Sequence, residues 1–228
     1  MPAFTLNSAV DELLKKEFDQ YRRRKEPHPL MQAYKIDCIP FMHPMIDEWR
    51  EPFKGIQYHH LPTNLMMFGA IDDLWVNKKD ELFVVDYKST STQEKITLES
   101  EYRQAYKRQM EIYQWLLSSL KFNVSSLGYF VYCNADRAKA GFEGKLEFKM
   151  EIIGYEADFS WVEGAIIAAH KCLTADTFPD PSQDCEYCKY RMIAEEGLQK
   201  EKKPLLKPDG SSKAQKLTAE PQAQRELF

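Results

Sequence analysis

The chain has no run of about 18 apolar residues, so a membrane-spanning helix is not expected. Its first residues, MPAFTLNSAVDELLKK, carry neither a basic leader nor a cleavable apolar stretch. No secretory signal is therefore expected, and a cytoplasmic location is the default. Cysteine is scarce and odd in number, five in 228 residues, which argues against a disulfide framework. An internal repeat is missing as well, which excludes a solenoid or propeller. There is no strong excess of one charge: 31 basic and 35 acidic residues give a net charge of −4. Binding to nucleic acid by charge alone is thereby excluded. The charge is uneven, however. From Gln199 to Phe228 there are seven Lys/Arg and four Asp/Glu, so this stretch is about +3 and the body about −7. Few apolar residues occur in it, and it is expected to be a disordered basic tail (199–228) behind a folded domain (1–198).

Hydrophobic residues make up 43% of the sequence, enough for one globular core. Val10, Leu13, Leu14, Phe18 and Tyr21 form a helical stripe, which predicts a helix over Ser8 to Arg24 capped by Asn7 or Ser8. Glu26 to Pro44 is too irregular to assign. A short strand is expected at Gln57 to Leu61. Two more, Leu65 to Val76 and Glu81 to Tyr87, are expected to be joined by the polar turn NKKDE. Leu98 to Phe122 reads as a long helix with Tyr102, Tyr106, Tyr113, Leu116, Leu117 and Leu120 on one stripe. Strands at Leu127 to Cys133 and Leu146 to Tyr155, then helices at Phe159 to Leu173 and Tyr190 to Leu198, complete the pattern. This order predicts an α/β fold with a central mixed β-sheet flanked by helices.

The chemistry concentrates between Gly69 and Lys88. In ELFVVDYKST, Leu82, Val84, Asp86 and Lys88 share one strand face, because side chains alternate with period two. Both faces are apolar until Asp86, so the strand is expected to be buried, with charge at its C-terminal end. In the preceding strand Phe68, Ala70, Asp72, Leu74 and Val76 share a face. A hairpin centred on Lys79 places Val76 opposite Leu82, Leu74 opposite Val84, and Asp72 opposite Asp86. Opposed carboxylates repel and resist joint ionisation, and a hard divalent cation removes the conflict. Lys88, on the same face, is placed to orient or help deprotonate a water that attacks phosphorus. Asp73 points to the other face and reads as structural. A surface hairpin with a simple salt bridge is the plainer alternative, but here the charges terminate apolar strands.

FGAIDDLW, VVDYKST and YKRQMEIYQWLL in this order resemble the G-x-x-D, D-x-K and Q-x-x-x-Y motifs of RecB-type exonuclease domains in the PD-(D/E)XK nuclease superfamily. The CRISPR-associated adaptation nucleases with iron–sulfur clusters are similar, and the resemblance covers roughly Ser8 to Arg191. It implies that Asp72 and Asp86 bind Mg²⁺ or Mn²⁺ with the carbonyl of Tyr87, that Lys88 is the catalytic lysine, and that Gln109 and Tyr113 help position substrate. Relatives often carry a histidine metal ligand on the first helix. Asp11 stands at the corresponding place, either as a ligand or as a helix N-terminal acid. An acidic chain suits such a nuclease, because its carboxylates hold cations that then meet phosphate.

HKCLTADTFPDPSQDCEYCKYR (residues 170–191) brings His170, Cys172, Cys185 and Cys188 into one segment, with a CxxC at its end. The resemblance implies that Cys172, Cys185 and Cys188 are three ligands of an iron–sulfur cluster. The fourth is open: Cys38 serves, or the ligand is missing from this chain. A zinc site from His170, Cys172, Cys185 and Cys188, and no metal at all, are the other readings the residues allow. Cys133 is expected to be a core thiol. The final residues, Gln224, Arg225, Glu226, Leu227 and Phe228, resemble the Q-x-x-L-F peptide by which bacterial DNA-processing proteins dock on the sliding clamp.

The expected function is metal-dependent hydrolysis of phosphodiester bonds in DNA. An exonuclease role in repair, recombination or CRISPR-type processing is the resemblance's implication. Arg103 and Lys107 on the long helix are candidate strand contacts. A non-cleaving nucleic-acid-binding module on the same fold is the alternative, and a restriction-type endonuclease a third.

Overall fold

Helix α1 (Thr5–Arg24) buries Leu14, Phe18 and Arg22, whose four-residue spacing lays one stripe on the sheet. In the computed structural model, residues 5–201 are described. They divide between Asp176 and Thr177 into two compact units. The first holds all the strands; the second holds the last helix.

The segment without a sequence assignment contains α2 (Pro29–Ala33) and β1 (Cys38–Pro40). Both are too short for periodicity to show. Pro29 opens α2 with its φ already helical, and the His28 ring accepts the Leu30 N–H at 3.1 Å. After α3 (Ile46–Trp49), strands β2 (Ile56–His60) and β3 (Leu65–Gly69) form a separate antiparallel pair.

The expected single strand from Leu65 to Val76 is corrected. It is two strands in two sheets, because the chain breaks at 70–72 before β4 (Asp73–Asn77) enters the main sheet. Tertiary hydrogen bonds fix that break: Ile71 N–H donates to the Trp49 carbonyl, and Arg50 Nε donates to the Asp72 carbonyl at 2.9 Å. β5 (Leu82–Thr90) pairs antiparallel with β4 in the expected register, Leu74 opposite Val84 and Val76 opposite Leu82.

The long helix starts later than expected. A 3₁₀ turn (Glu101–Arg103) leads into α4 (Gln104–Ser119), while Ile96 and Leu98 are drawn into the core ahead of it. α4 carries the chain to β6 (Leu127–Ala135), which runs parallel to β5. β7 (Phe148–Glu156) and α5 (Trp161–Leu173) follow. In the second unit, α6 (Glu186–Glu201) is longer than the helix expected at Tyr190 to Leu198, so the first residues of the expected tail are helical. The clamp-like peptide Gln224–Phe228 lies outside the described residues.

The main sheet has the order β1-β4-β5-β6-β7, with one parallel pair among antiparallel ones. It is a mixed α/β fold with the sheet covered by helices on both faces. One face packs Leu74, Val84 and Phe130 against Met110, Leu116 and Ile166 of α4 and α5. The other packs Trp75, Val85 and Val131 against Leu14 and Phe18 of α1. Burial on both faces explains why β5 reads as a continuous apolar run. Each fully buried aliphatic side chain stabilises the fold by roughly 1.5–3 kcal/mol. Among the described residues, no helix is long and apolar enough to cross a membrane.

Phe18 is fully buried and stacks on His28 and Trp75 at ring-centroid distances of 4.2 and 5.6 Å. Phe18→Ala is expected to cost about 3–5 kcal/mol, measured as a lowered urea midpoint at unchanged slope.

Candidate active site

The end of β5 and the start of β4 lie side by side, and their register carries Asp72 to the position opposite Asp86. Asp72 is held from two directions. Its Oδ2 accepts the Tyr87 backbone N–H at 2.8 Å, and its carbonyl accepts from Arg50. Asp86 is 3% exposed. Lys88 Nζ lies 2.5 Å from Asp86 Oδ2 as a buried ion pair. The two carboxyl groups stand within hydrogen-bonding reach of each other.

α4 supplies the far wall. Gln109 Oε1 accepts from Lys88 Nζ at 3.4 Å, and Gln109 Nε2 donates to the Tyr113 hydroxyl at 2.8 Å. The Lys88 ammonium also lies 4.4 Å from the ring centroid of Tyr106. Tyr113 explains the glycine of the first motif. A Cβ on Gly69 would stand 2.7 Å from the Tyr113 ring, so only glycine lets the ring lie across that strand.

α1 closes the third side. Lys15, which the sequence reading missed, bridges Asp11 Oδ2 at 2.7 Å and Asp72 Oδ1 at 3.5 Å. The available signal was its place one turn after Asp11. Asp11 is thus at the cavity and engaged with Lys15. The cavity has a volume of about 440 Å³ and is lined by Asp11, Asp72, Asp86, Lys88, Tyr106 and Gln109 among others.

The electrostatics follow from this crowding. Burial, and then the charge of Asp72, push Asp86 up to about 7, against the pull of Lys88. Burial also raises Asp72, with Asp11 adding to the rise and Lys15 opposing it. Tyr113 is pushed up to about 12, chiefly by burial, and stays a neutral hydroxyl. Two hard, buried carboxylates that repel one another fit a divalent cation. Among the described residues, no group of three or more His, Cys, Asp or Glu is close enough to hold a metal ion by itself. Any ion at this site therefore needs oxygens beyond side-chain carboxylates.

Asp73 faces away from the cavity, as its strand position implied. It is fully buried, with Oδ1 accepting from Arg22 and Arg50 and Oδ2 accepting the Tyr87 hydroxyl at 2.7 Å. Arg103, a candidate strand contact, is corrected: it is 9% exposed, and its guanidinium donates to the Thr97 carbonyl. Lys107 lies 5.4 Å from the Tyr155 ring centroid.

The cysteines lie in different surroundings. Cys38 and Cys133 are buried in the core on the α1 side, and burial pushes both thiols up to about 11. Cys38 is thereby corrected from optional cluster ligand to core thiol. Cys172 is exposed near the end of α5, which also carries His170. In the second unit Cys185 precedes α6 and Cys188 lies in its first turn. Hydrogen bonds from Cys188 lower the Cys185 thiol.

The fold and the paired carboxylates with their lysine define a nuclease of the metal-dependent, restriction-endonuclease-like class. The family model described as the PD-(D/E)XK nuclease superfamily matches residues 4–193, and the chain belongs to that superfamily. No curated protein matches the sequence.

The raised Asp86 has a consequence for stability. An acid whose folded pKa lies above its usual value near 4 favours the fold in its protonated form. Its contribution is complete below about pH 4 and is lost as the pH rises through about 7. With divalent cations chelated, Asp86→Asn is expected to raise the Tm relative to the parent, by more at pH 8 than at pH 5. Equal gaps at both pH values would contradict the raised pKa.

Proposed function

We propose that the protein hydrolyses phosphodiester bonds in DNA at the Asp72–Asp86–Lys88 centre. The RecB-type, exonuclease-like branch is the finer assignment. The observation that carries this reading is the buried carboxylate pair with its lysine, opening into a solvent cavity. Its support for the branch is the Gln109–Tyr113 hydrogen bond, which ties the Q-x-x-x-Y residues to Lys88.

In this proposal Asp72 and Asp86 hold a divalent cation, Mg²⁺ or Mn²⁺, with the Tyr87 carbonyl as a further oxygen donor, and Asp11 joins only by leaving Lys15. When bound, the cation supplies charge stabilisation and lowers the pKa of a water. The protein's own residues do the rest. Gln109 and the Tyr106 ring confine the Lys88 ammonium, so that it points at the phosphate and at the attacking water. The water oxygen forms a bond to phosphorus and gives up a proton to solvent, the bridging P–O bond breaks, and the leaving oxygen takes a proton from solvent. Tyr113, neutral at working pH, keeps Gln109 in its rotamer. Asp73 and Arg50 keep the backbone of Asp72 and Tyr87 in place.

The nuclease domain is proposed to occupy residues 1–198. Cys185 and Cys188, the CxxC of the second unit, are proposed to stand outside the hydrolytic steps as soft-metal ligands. Metal bound to the full chain is identified by visible absorbance, which reports an iron–sulfur cluster, and by elemental analysis, which reports zinc. Absence of both metals removes the site. Docking of Gln224–Phe228 on a sliding clamp is tested by deleting those five residues and measuring clamp binding.

The central test is cleavage of single- and double-stranded DNA with Mg²⁺ or Mn²⁺ and with chelator. Asp86→Ala and Lys88→Ala are each expected to lower kcat by about 10²-fold or more. If both variants cut as fast as the parent, the mechanism is wrong.

A further inference from the structure

The stripe of α4 that carries Gln109 and Tyr113 continues outward. Tyr106, Gln109 and Tyr113 follow one another on α4 at spacings of three and four residues, which places them on one helical face, and Tyr102 precedes them in the 3₁₀ turn that leads into the helix. Their exposure is graded. Tyr113 is 8% exposed, Tyr106 is partly buried in the cavity wall, and Tyr102, in the turn before the helix, is 62% exposed. The two outer rings meet edge to face, with centroids 6.4 Å apart.

Tyr102 does little for the core, yet it is held firmly. The Arg103 guanidinium lies 5.0 Å from its ring centroid. Arg103 in turn is buried, donates to the Thr97 carbonyl and lies 5.9 Å from the Tyr132 ring centroid. An exposed ring backed by an immobile cation is a preformed stacking surface. The surrounding charge selects what stacks on it. Glu99 and Glu101 precede Tyr102 closely in the chain and are both exposed, which disfavours a phosphate near them, whereas the face of a base carries no charge.

We infer that Tyr102, with Tyr106 behind it, is a stacking platform for an unpaired base next to the phosphate held at Asp72 and Asp86, so that the substrate is engaged as a single strand. A base inside a duplex has both faces covered and cannot use the ring; an unpaired base can. The inference rests on the nuclease reading for the position of the phosphate. Tyr102 is a positioning residue and acts through the base, not on the reacting atoms.

The test is binding and cleavage of a fluorescein-labelled single-stranded DNA of about 20 nucleotides by the full chain. Binding is measured in chelator and cleavage with Mg²⁺ or Mn²⁺. Replacing a well-exposed tyrosine leaves the fold intact, which a thermal melt of each variant checks. Tyr102→Ala is expected to weaken single-strand binding by roughly 5- to 100-fold and to raise KM with kcat largely kept. Tyr102→Trp is expected to keep parent-like values, because stacking needs the ring and not the hydroxyl. A scan of single abasic positions should find one position whose loss matches that of Tyr102→Ala and does not add to it. Parent-like binding by Tyr102→Ala, losses that add at every position, or tighter binding of duplex than of single strand would each overturn the platform. Ring-dependent and abasic-sensitive binding without any metal-dependent cleavage would support the platform and sink the nuclease reading instead.

Discussion

A single carboxylate with no solvent exposure, Asp73, organises the ground on which the site stands. Its Oδ1 receives Arg22 from α1 and Arg50 from the segment after α3, and its Oδ2 receives the hydroxyl of Tyr87. Asp19 on α1 adds a second carboxylate to Arg50, with Arg50 Nη1 at 3.0 Å from both of its oxygens. Helix α1, the segment after α3 and two strands are therefore tied at one buried point. Buried ion pairs are poor general stabilisers, but removing one partner leaves an uncompensated charge and costs about 3–5 kcal/mol. The arrangement is specific: it sets where α1 lies along the sheet and where β4 begins.

That placement decides the chemistry one residue away. Asp72 and Asp73 are neighbours on opposite faces of the chain, one for the cavity and one for the buried cluster. Because Asp73 and Arg50 hold the backbone, the Asp72 side chain cannot drift from Asp86 to relieve their repulsion. The conflict is stored as raised carboxyl pKa values. Such an arrangement has a use where a cation binds, since the ion converts the repulsion into affinity. The same α1 that Asp73 anchors delivers Asp11 and Lys15 to the cavity rim.

α4 is the second organising element. Its inner residues pack between the small β2–β3 pair and the main sheet, and Gly69 makes room for Tyr113 on the way. From there one helical face runs through Gln109, which restrains Lys88, to Tyr106, whose ring meets that of Tyr102 in the 3₁₀ turn before the helix. A single stripe thus changes from core to catalytic support along its length and ends against a surface ring. Its aromatic residues read alike in sequence, and burial alone separates their roles.

Much of the site was legible in the sequence, for physical reasons. Period-two alternation put Asp86 and Lys88 on one face. The polar turn between two apolar runs defined the register that sets Asp72 opposite Asp86. The mixed sheet followed from the order of helical and strand patterns. Asp73 could be placed on the opposite face from parity alone. Tertiary structure decided what has no local signature. The break at 70–72 separates β3 from β4 through hydrogen bonds to Trp49 and Arg50, residues that no periodicity links to it. β1 is three residues long and exists because β4 offers it an edge. Lys15 reaches Asp72 only once α1 has docked, and Arg103 is buried only because the chain before α4 folds back over it. Local patterns determine which side of an element a residue faces; long-range packing determines what it meets there.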